Sequence, residues 1–102
     1  MQVDGLPMSA CLLLATQVDD AAVRTIEGLV SPLQDAFITE GGFQCGICTS
    51  GQLMTADAFL RDHPDFTEGE LTDGLMGNLC RCTGYYGIAR AIARARAADA
   101  VR

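Results

Sequence analysis

From Ser31 onward, apolar residues in this chain fall three and four positions apart, the spacing that lines one face of a helix. Leu33, Ala36 and Phe37 mark the first such face. Ser31-Pro32-Leu33-Gln34 opens it with an N-cap serine, a proline at the first helical position and a glutamine completing a capping box. Gly41-Gly42 closes it. A second helix is predicted from about Thr49 to Asp62, with Leu53, Ala56 and Leu60 on one side and His63-Pro64 as its break. Thr67-Glu68-Gly69-Glu70 is another capping box and opens a third helix through Leu71, Leu75 and Leu79. Gly69 and Gly74 weaken that helix locally, so it needs tertiary support. The last helix is predicted from about Tyr85 to Ala100, with Ile88, Ala89, Ile92 and Ala93 inward. Arg90, Arg94 and Arg96 face water and favour the C-terminal end of its dipole.

Residues 1–30 read differently. Leu12 to Val18 is a short apolar run, and Val23 to Ile26 mixes β-branched residues with Arg24 and Thr25. Asp19-Asp20 lies between them as a turn candidate, which predicts a small β-hairpin. Two strands alone are only marginally stable in water, so this piece reads as the edge of a larger sheet. The predicted fold is mainly α. It is a four-helix bundle of two antiparallel hairpins over residues 31–102, preceded by a short β-hairpin over residues 1–30.

Composition narrows the function classes. The chain has 102 residues, enough for one compact domain, and 49% of them are hydrophobic, which supports a core. A net charge of −6 argues against nucleic acid, because no basic face is available to neutralise phosphates. No run reaches the length of a membrane span, and Met1-Gln2-Val3-Asp4-Gly5 lacks the basic and apolar regions of a signal peptide. The expected location is therefore cytoplasmic and reducing, where cysteines serve as ligands more often than as disulfides.

The candidate chemistry lies in the cysteines. Four of the five stand in two tight pairs, Cys45-Gly46-Ile47-Cys48 and Cys80-Arg81-Cys82. Thiolates gathered in this way hold a metal ion or an iron–sulfur cluster, since either needs ligands that converge from rigid backbone. The second helix carries the chain away by about 20 Å at 1.5 Å per residue. The third, predicted to be of similar length, brings it back and places the second pair beside the first. Gly41, Gly42, Gly46 and Gly51 flank one pair, and Gly77 and Gly84 the other, which would let backbone amides approach sulfur. On spacing alone a structural zinc site competes closely with a cluster, because zinc also takes four thiolates. A dithiol redox centre at Cys45 and Cys48 is disfavoured, because the βαβ setting of that chemistry is absent.

Gly42-Phe43-Gln44-Cys45-Gly46-Ile47-Cys48-Thr49-Ser50-Gly51, with Gly77-Asn78-Leu79-Cys80-Arg81-Cys82-Thr83-Gly84-Tyr85, resembles the small iron–sulfur subunit of molybdenum hydroxylases. That is the xanthine dehydrogenase, aldehyde oxidoreductase and aerobic carbon monoxide dehydrogenase family. Val3-Asp4-Gly5, Ser9-Ala10-Cys11 and Thr25-Ile26-Glu27-Gly28-Leu29 match it as well, so the resemblance spans essentially the whole chain. It implies that Cys45, Cys48, Cys80 and Cys82 hold a [2Fe–2S] cluster. It also implies that Gln44 and Cys82 lie against the pterin of a molybdopterin cofactor bound in a large partner subunit. Electrons would pass from the pterin through this cluster to a second cluster, and then to a flavin subunit or another acceptor.

The same resemblance implies that residues 1–30 are the C-terminal remnant of a plant-type ferredoxin-like domain. Cys11 then matches the last ligand of the second cluster, an orphan here, because one thiolate cannot hold a [2Fe–2S] cluster. The chain is accordingly expected to be the C-terminal part of a longer protein or a truncated subunit. The expected role is that of the iron–sulfur part of an oxidoreductase. The alternative is a zinc-stabilised helical interaction module without a redox role.

Other polar residues offer less. Gln44 on its own would be a turn cap, and Arg81 a solvated charge or an anion contact. Tyr85 and Tyr86 read as packing residues with wet hydroxyls, His63 as exposed, and Asp57, Asp62 and Asp65 as solvated surface. No Ser/His/Asp, Cys/His or paired-carboxylate constellation can be assembled, so no catalytic acid, base or nucleophile is expected in this chain.

Overall fold

The computed structural model describes residues 1–100. Three short strands, β1 (Gln2–Val3), β2 (Leu6–Pro7) and β3 (Val23–Arg24), precede four helices: α1 (Pro32–Glu40), α2 (Thr49–Asp62), α3 (Glu68–Leu75) and α4 (Tyr86–Ala100). The mainly α fold with a small β piece agrees with the sequence reading. Among the described residues no helix is long and apolar enough to cross a membrane.

Helix ends follow the local chemistry. Ser31 caps α1 by accepting the Leu33 N–H, while Gln34 reaches back to the Ser31 N–H at 3.1 Å. Thr67 and Glu70 make the same reciprocal pair at the start of α3. The α3 helix is shorter than predicted. It ends at Leu75 after 8 residues, against 14 in α2, so it rises about 12 Å where α2 rises about 21 Å. Leu79, assigned by its spacing to the buried face, is 82% exposed. Beyond Leu75 the chain turns at Met76-Gly77 and completes the return as an irregular segment.

The helices bury Leu33, Phe37, Ala56, Leu71, Ile88 and Ile92 at a common core. The α1 helix packs mainly on α4, and α2 on α3. Gly87, at the start of α4, lies against the Gly41 carbonyl at the end of α1; a Cβ there would stand 2.6 Å from that oxygen. Gln52, in the first turn of α2, donates to the Asn78 carbonyl just beyond α3. These two contacts bring the α1–α2 loop and the α3–α4 loop to the same end of the bundle. Both cysteine pairs lie in those loops.

The N-terminal piece is built otherwise than expected. Its hairpin is β1–β2, turned at Asp4-Gly5, where φ of +50° and +83° provides the left-handed pair that a tight hairpin takes. The β3 strand pairs antiparallel with the other side of β1, giving the order β2-β1-β3. Leu12 to Val18 forms no strand. Ala10–Leu12 and Ala15–Val18 are single 3₁₀ turns, because Leu12 and Leu14 point to solvent and have no sheet face to pack on. The turn at Asp19-Asp20 is present, with the Ala21 N–H donating to the Val18 carbonyl at 3.0 Å.

A polar network fastens this piece to the bundle. Buried Gln2 donates to the Met54 carbonyl at 2.9 Å and to Asp57 Oδ2 at 3.0 Å. Arg24 donates to the same Asp57 oxygen at 2.7 Å and to Gln2 Oε1 at 2.7 Å. Asp57 is therefore no free surface carboxylate. Its side chain is 20% exposed, held by the N-terminal strands lying over α2.

Candidate functional site

Each cysteine pair is held by the loop between two helices. Cys48 is the residue before α2, and Gly46 turns the chain inside the pair at φ +84°, a conformation open to glycine at little cost. Cys80 and Cys82 follow the irregular segment after α3 and precede a turn that enters α4. Asn78 anchors that segment. Its carbonyl accepts from Gln52, and its side-chain amide donates to Thr55 Oγ1 at 2.8 Å.

The two loops bring the thiols together in pairs that cross between them. Cys45 and Cys82 stand 3.5 Å apart, Sγ to Sγ, although 37 positions separate them in sequence. Cys48 and Cys80 stand close enough to perturb each other's ionisation. Among the described residues, no three Cys, His, Asp or Glu side chains are arranged to share a single metal ion. Cys45 and Cys82 are exposed, and Cys48 and Cys80 are half-buried. Cys11 is exposed and lines a hollow with Met8, Met54 and Asn78, in which none of these four cysteines takes part.

Their electrostatics differ sharply. Burial, with Cys80 beside it, pushes the Cys48 thiol up to about 11. Cys80 goes the other way, to about 7, because the Thr83 hydroxyl and then the Thr83 backbone hydrogen-bond its sulfur. Cys82 is raised by the hydrogen bond it makes to Cys45. A set with one thiolate already favoured near neutrality needs fewer protons removed when it takes a metal.

Several site residues were not legible beforehand as parts of it. The Tyr85 hydroxyl accepts the Cys80 N–H at 2.9 Å, so it is an anchor of the loop rather than a wet tip. Thr83 Oγ1 lies 3.1 Å from Cys80 Sγ and accepts the Tyr85 N–H at 3.1 Å. Buried Gln52 was hidden because it occupies a polar slot on an otherwise apolar helix face. Thr49 Oγ1, one residue past Cys48, is buried without a hydrogen-bond partner among the described residues. Gln44 and Arg81 are exposed at the same end of the molecule.

The donor set fits a two-iron cluster. Such a cluster is held by four cysteine thiolates, and the four thiols gathered from the two loops would supply that number and kind of ligand. The sequence model of the family described as "[2Fe-2S] binding domain" matches residues 18–93. The chain belongs to this family. It is 45% identical over 98 residues to a probable xanthine dehydrogenase subunit from Bacillus subtilis (strain 168), covering 92% of this chain and 57% of that protein. To the nicotine 6-hydroxylase small subunit of Paenarthrobacter nicotinovorans it is 46% identical over 94 residues, 88% of this chain and 57% of that one. The structure of quinoline 2-oxidoreductase from Pseudomonas putida 86 superposes with a TM-score of 0.89 at 42% identity, covering 98% of this chain and 65% of that one. The chain thus spans less than two thirds of the length of these relatives.

Proposed function

We infer that this chain of the [2Fe-2S] binding domain family is the electron-relay part of a molybdenum hydroxylase-type oxidoreductase. Cys45, Cys48, Cys80 and Cys82 are the proposed ligands that would hold the cluster. When bound, the cluster supplies reversible one-electron exchange. The protein contributes position, burial and hydrogen bonds to the sulfurs. The observation that carries the reading is the meeting of the two pairs across the loops, with Cys45 Sγ 3.5 Å from Cys82 Sγ and Cys48 and Cys80 near enough to shift each other's ionisation. A single structural zinc asks instead for four sulfurs around one point.

The cysteine end of the bundle suits contact with another chain. Gln44, Cys45, Arg81 and Cys82 are exposed there, and Ile47, Leu79 and Tyr86 add exposed apolar surface. In this reading a large subunit covers that end and places a molybdopterin cofactor against Gln44 and Cys82. Relatives named as subunits of xanthine dehydrogenase and nicotine 6-hydroxylase support an assembly of this kind. Residues 1–30 are proposed as the last part of a ferredoxin-like domain, with residues 31–102 as the helical cluster-binding domain. Cys11 is proposed as the ligand left to a second cluster, and its exposed place in a hollow that none of the four paired thiols lines supports that assignment. Onward transfer to a flavin subunit, and a reducing cytoplasmic location, complete the proposal.

Rapid mixing tests the relay. In the assembled complex, substrate should bleach the visible absorption of the cluster within a turnover, and Cys45→Ser should abolish that bleaching while substrate still binds the large subunit. A cluster that stays oxidised during turnover would remove this chain from the electron path.

A further inference from the structure

The loop after Cys80 folds back on its own first residue. Tyr85 sits at φ +70°, a left-handed conformation that is strained for a non-glycine residue. Two hydrogen bonds hold it there. Its N–H donates to Thr83 Oγ1 at 3.1 Å, and its phenol oxygen accepts the Cys80 N–H at 2.9 Å. The same Thr83 oxygen stands 3.1 Å from Cys80 Sγ. Among the described residues, Cys80 is the one cysteine whose sulfur has a hydroxyl within hydrogen-bonding distance.

The direction of that last bond follows from proton counting. A hydroxyl carries one hydrogen and two acceptor lone pairs. The Tyr85 N–H occupies one of Thr83's lone pairs and fixes the rotor. A sulfur that ligates iron is a thiolate and has no hydrogen to give. Thr83 must therefore donate, and Cys80 must accept. The strained Tyr85 backbone keeps the donor aimed.

We propose that Thr83 is a positioning residue that raises the reduction potential of the cluster through its hydrogen bond to the Cys80 sulfur, and that Tyr85 holds it in place. The proposal rests on the ligand role inferred above for Cys80. Reduction adds one electron and makes the sulfurs more negative. A donor aimed at one of them stabilises the reduced form more than the oxidised form, so the potential rises. The effect acts through Cys80 alone, which sets the Cys48–Cys80 side of the site apart from the exposed Cys45–Cys82 side.

The test compares the full chain with Thr83→Ser, Thr83→Val, Tyr85→Phe and the Thr83→Val/Tyr85→Phe double variant. Each is purified without oxygen, assayed for iron and acid-labile sulfide, and titrated to its midpoint potential by electron paramagnetic resonance. Thr83→Ser should keep the parent value. Thr83→Val, nearly equal in shape, should lower it by about 59 mV, a tenfold change in a one-electron equilibrium. Tyr85→Phe should shift it less, in the same direction, and should add nothing in the Thr83→Val background. Besides the couplings of backbone amide deuterons, which all variants should share, the parent and Thr83→Ser should show one solvent-exchangeable deuteron coupling that Thr83→Val lacks. If Thr83→Val assembles no cluster, Thr83→Ala against Thr83→Ser makes the same comparison. An intact cluster whose potential ignores the hydroxyl would overturn this proposal alone. A parent chain without iron and sulfide would overturn the cluster reading and this proposal with it.

Discussion

Gln52, fully buried in α2, donates its side-chain amide to the carbonyl of Asn78 at 2.8 Å, across 26 positions of sequence. That bond sets the path of the chain into Cys80. The other end of the same amide, Gln52 Oε1, is buried without a partner among the described residues. Gln52→Leu removes both the good bond and the orphaned acceptor, so it should destabilise by only about 1 kcal/mol. Gln52→Glu loses the donor and buries a carboxylate facing a carbonyl, and it should cost about 3 kcal/mol or more. Urea unfolding of the two variants checks the order. Equal losses would mean that the amide does not organise the loop.

A second prediction concerns the seam between the strands and the bundle. Asp57 receives both Arg24 and Gln2, so Asp57→Ala leaves each with one partner fewer. The ion pair is partly exposed, and its loss should cost about 1–2 kcal/mol. The local effect should be larger than the global one. Residues 1–30 should become more open to limited proteolysis, while the helices keep their circular dichroism.

The approach of α1 to α4 sets a steric limit. A Cβ at Gly87 would meet the Gly41 carbonyl oxygen at 2.6 Å, and that oxygen belongs to backbone, which cannot swing aside as a side chain can. Gly87→Ala should therefore destabilise by about 1–3 kcal/mol, as overpacking does. Gly77→Ala, with nothing within 4 Å of its added carbon, is the control and should be near neutral in thermal unfolding.

The metal-free thiols should titrate apart. Cys80 is lowered to about 7, so its alkylation by iodoacetamide should climb as pH rises through that value. Cys48 is raised to about 11, so it should remain slow until pH passes that range. Removing the Thr83 hydroxyl takes away the leading cause of the Cys80 shift, and Thr83→Val should move its reactivity curve to higher pH. Mass spectrometry of partially alkylated protein at several pH values reads both curves.

Much of the bundle could be read from sequence because its helices carry their own stop and start signals. Ser31, Gln34, Thr67 and Glu70 cap as their spacing indicates, and α2 runs from Thr49 to Asp62 as predicted. The errors lie where tertiary partners override local pattern. Leu79 continues the spacing of Leu71 and Leu75, yet the chain must leave the helix for Asn78 to reach Gln52 and Thr55. The apolar run at Leu12 to Val18 looks like a strand, but the sheet is centred on β1, whose two residues give almost no periodic signal. Asp57 reads as surface until Arg24 and Gln2 are brought over it. At the site, sequence spacing named the four paired cysteines, whereas the part taken by Thr83 and Tyr85 depends on a loop that folds back on Cys80.

The central claim is that Cys45, Cys48, Cys80 and Cys82 hold one two-iron cluster. Iron, acid-labile sulfide and zinc analysis of the anaerobically purified chain, with electron paramagnetic resonance after dithionite reduction, tests it most directly. The account predicts about two irons and two sulfides per chain, with a reduced [2Fe–2S] signal that Cys80→Ser alters and Cys11→Ser leaves unchanged. About one zinc per chain, no sulfide and no signal would contradict it and leave a structural staple in place of a relay.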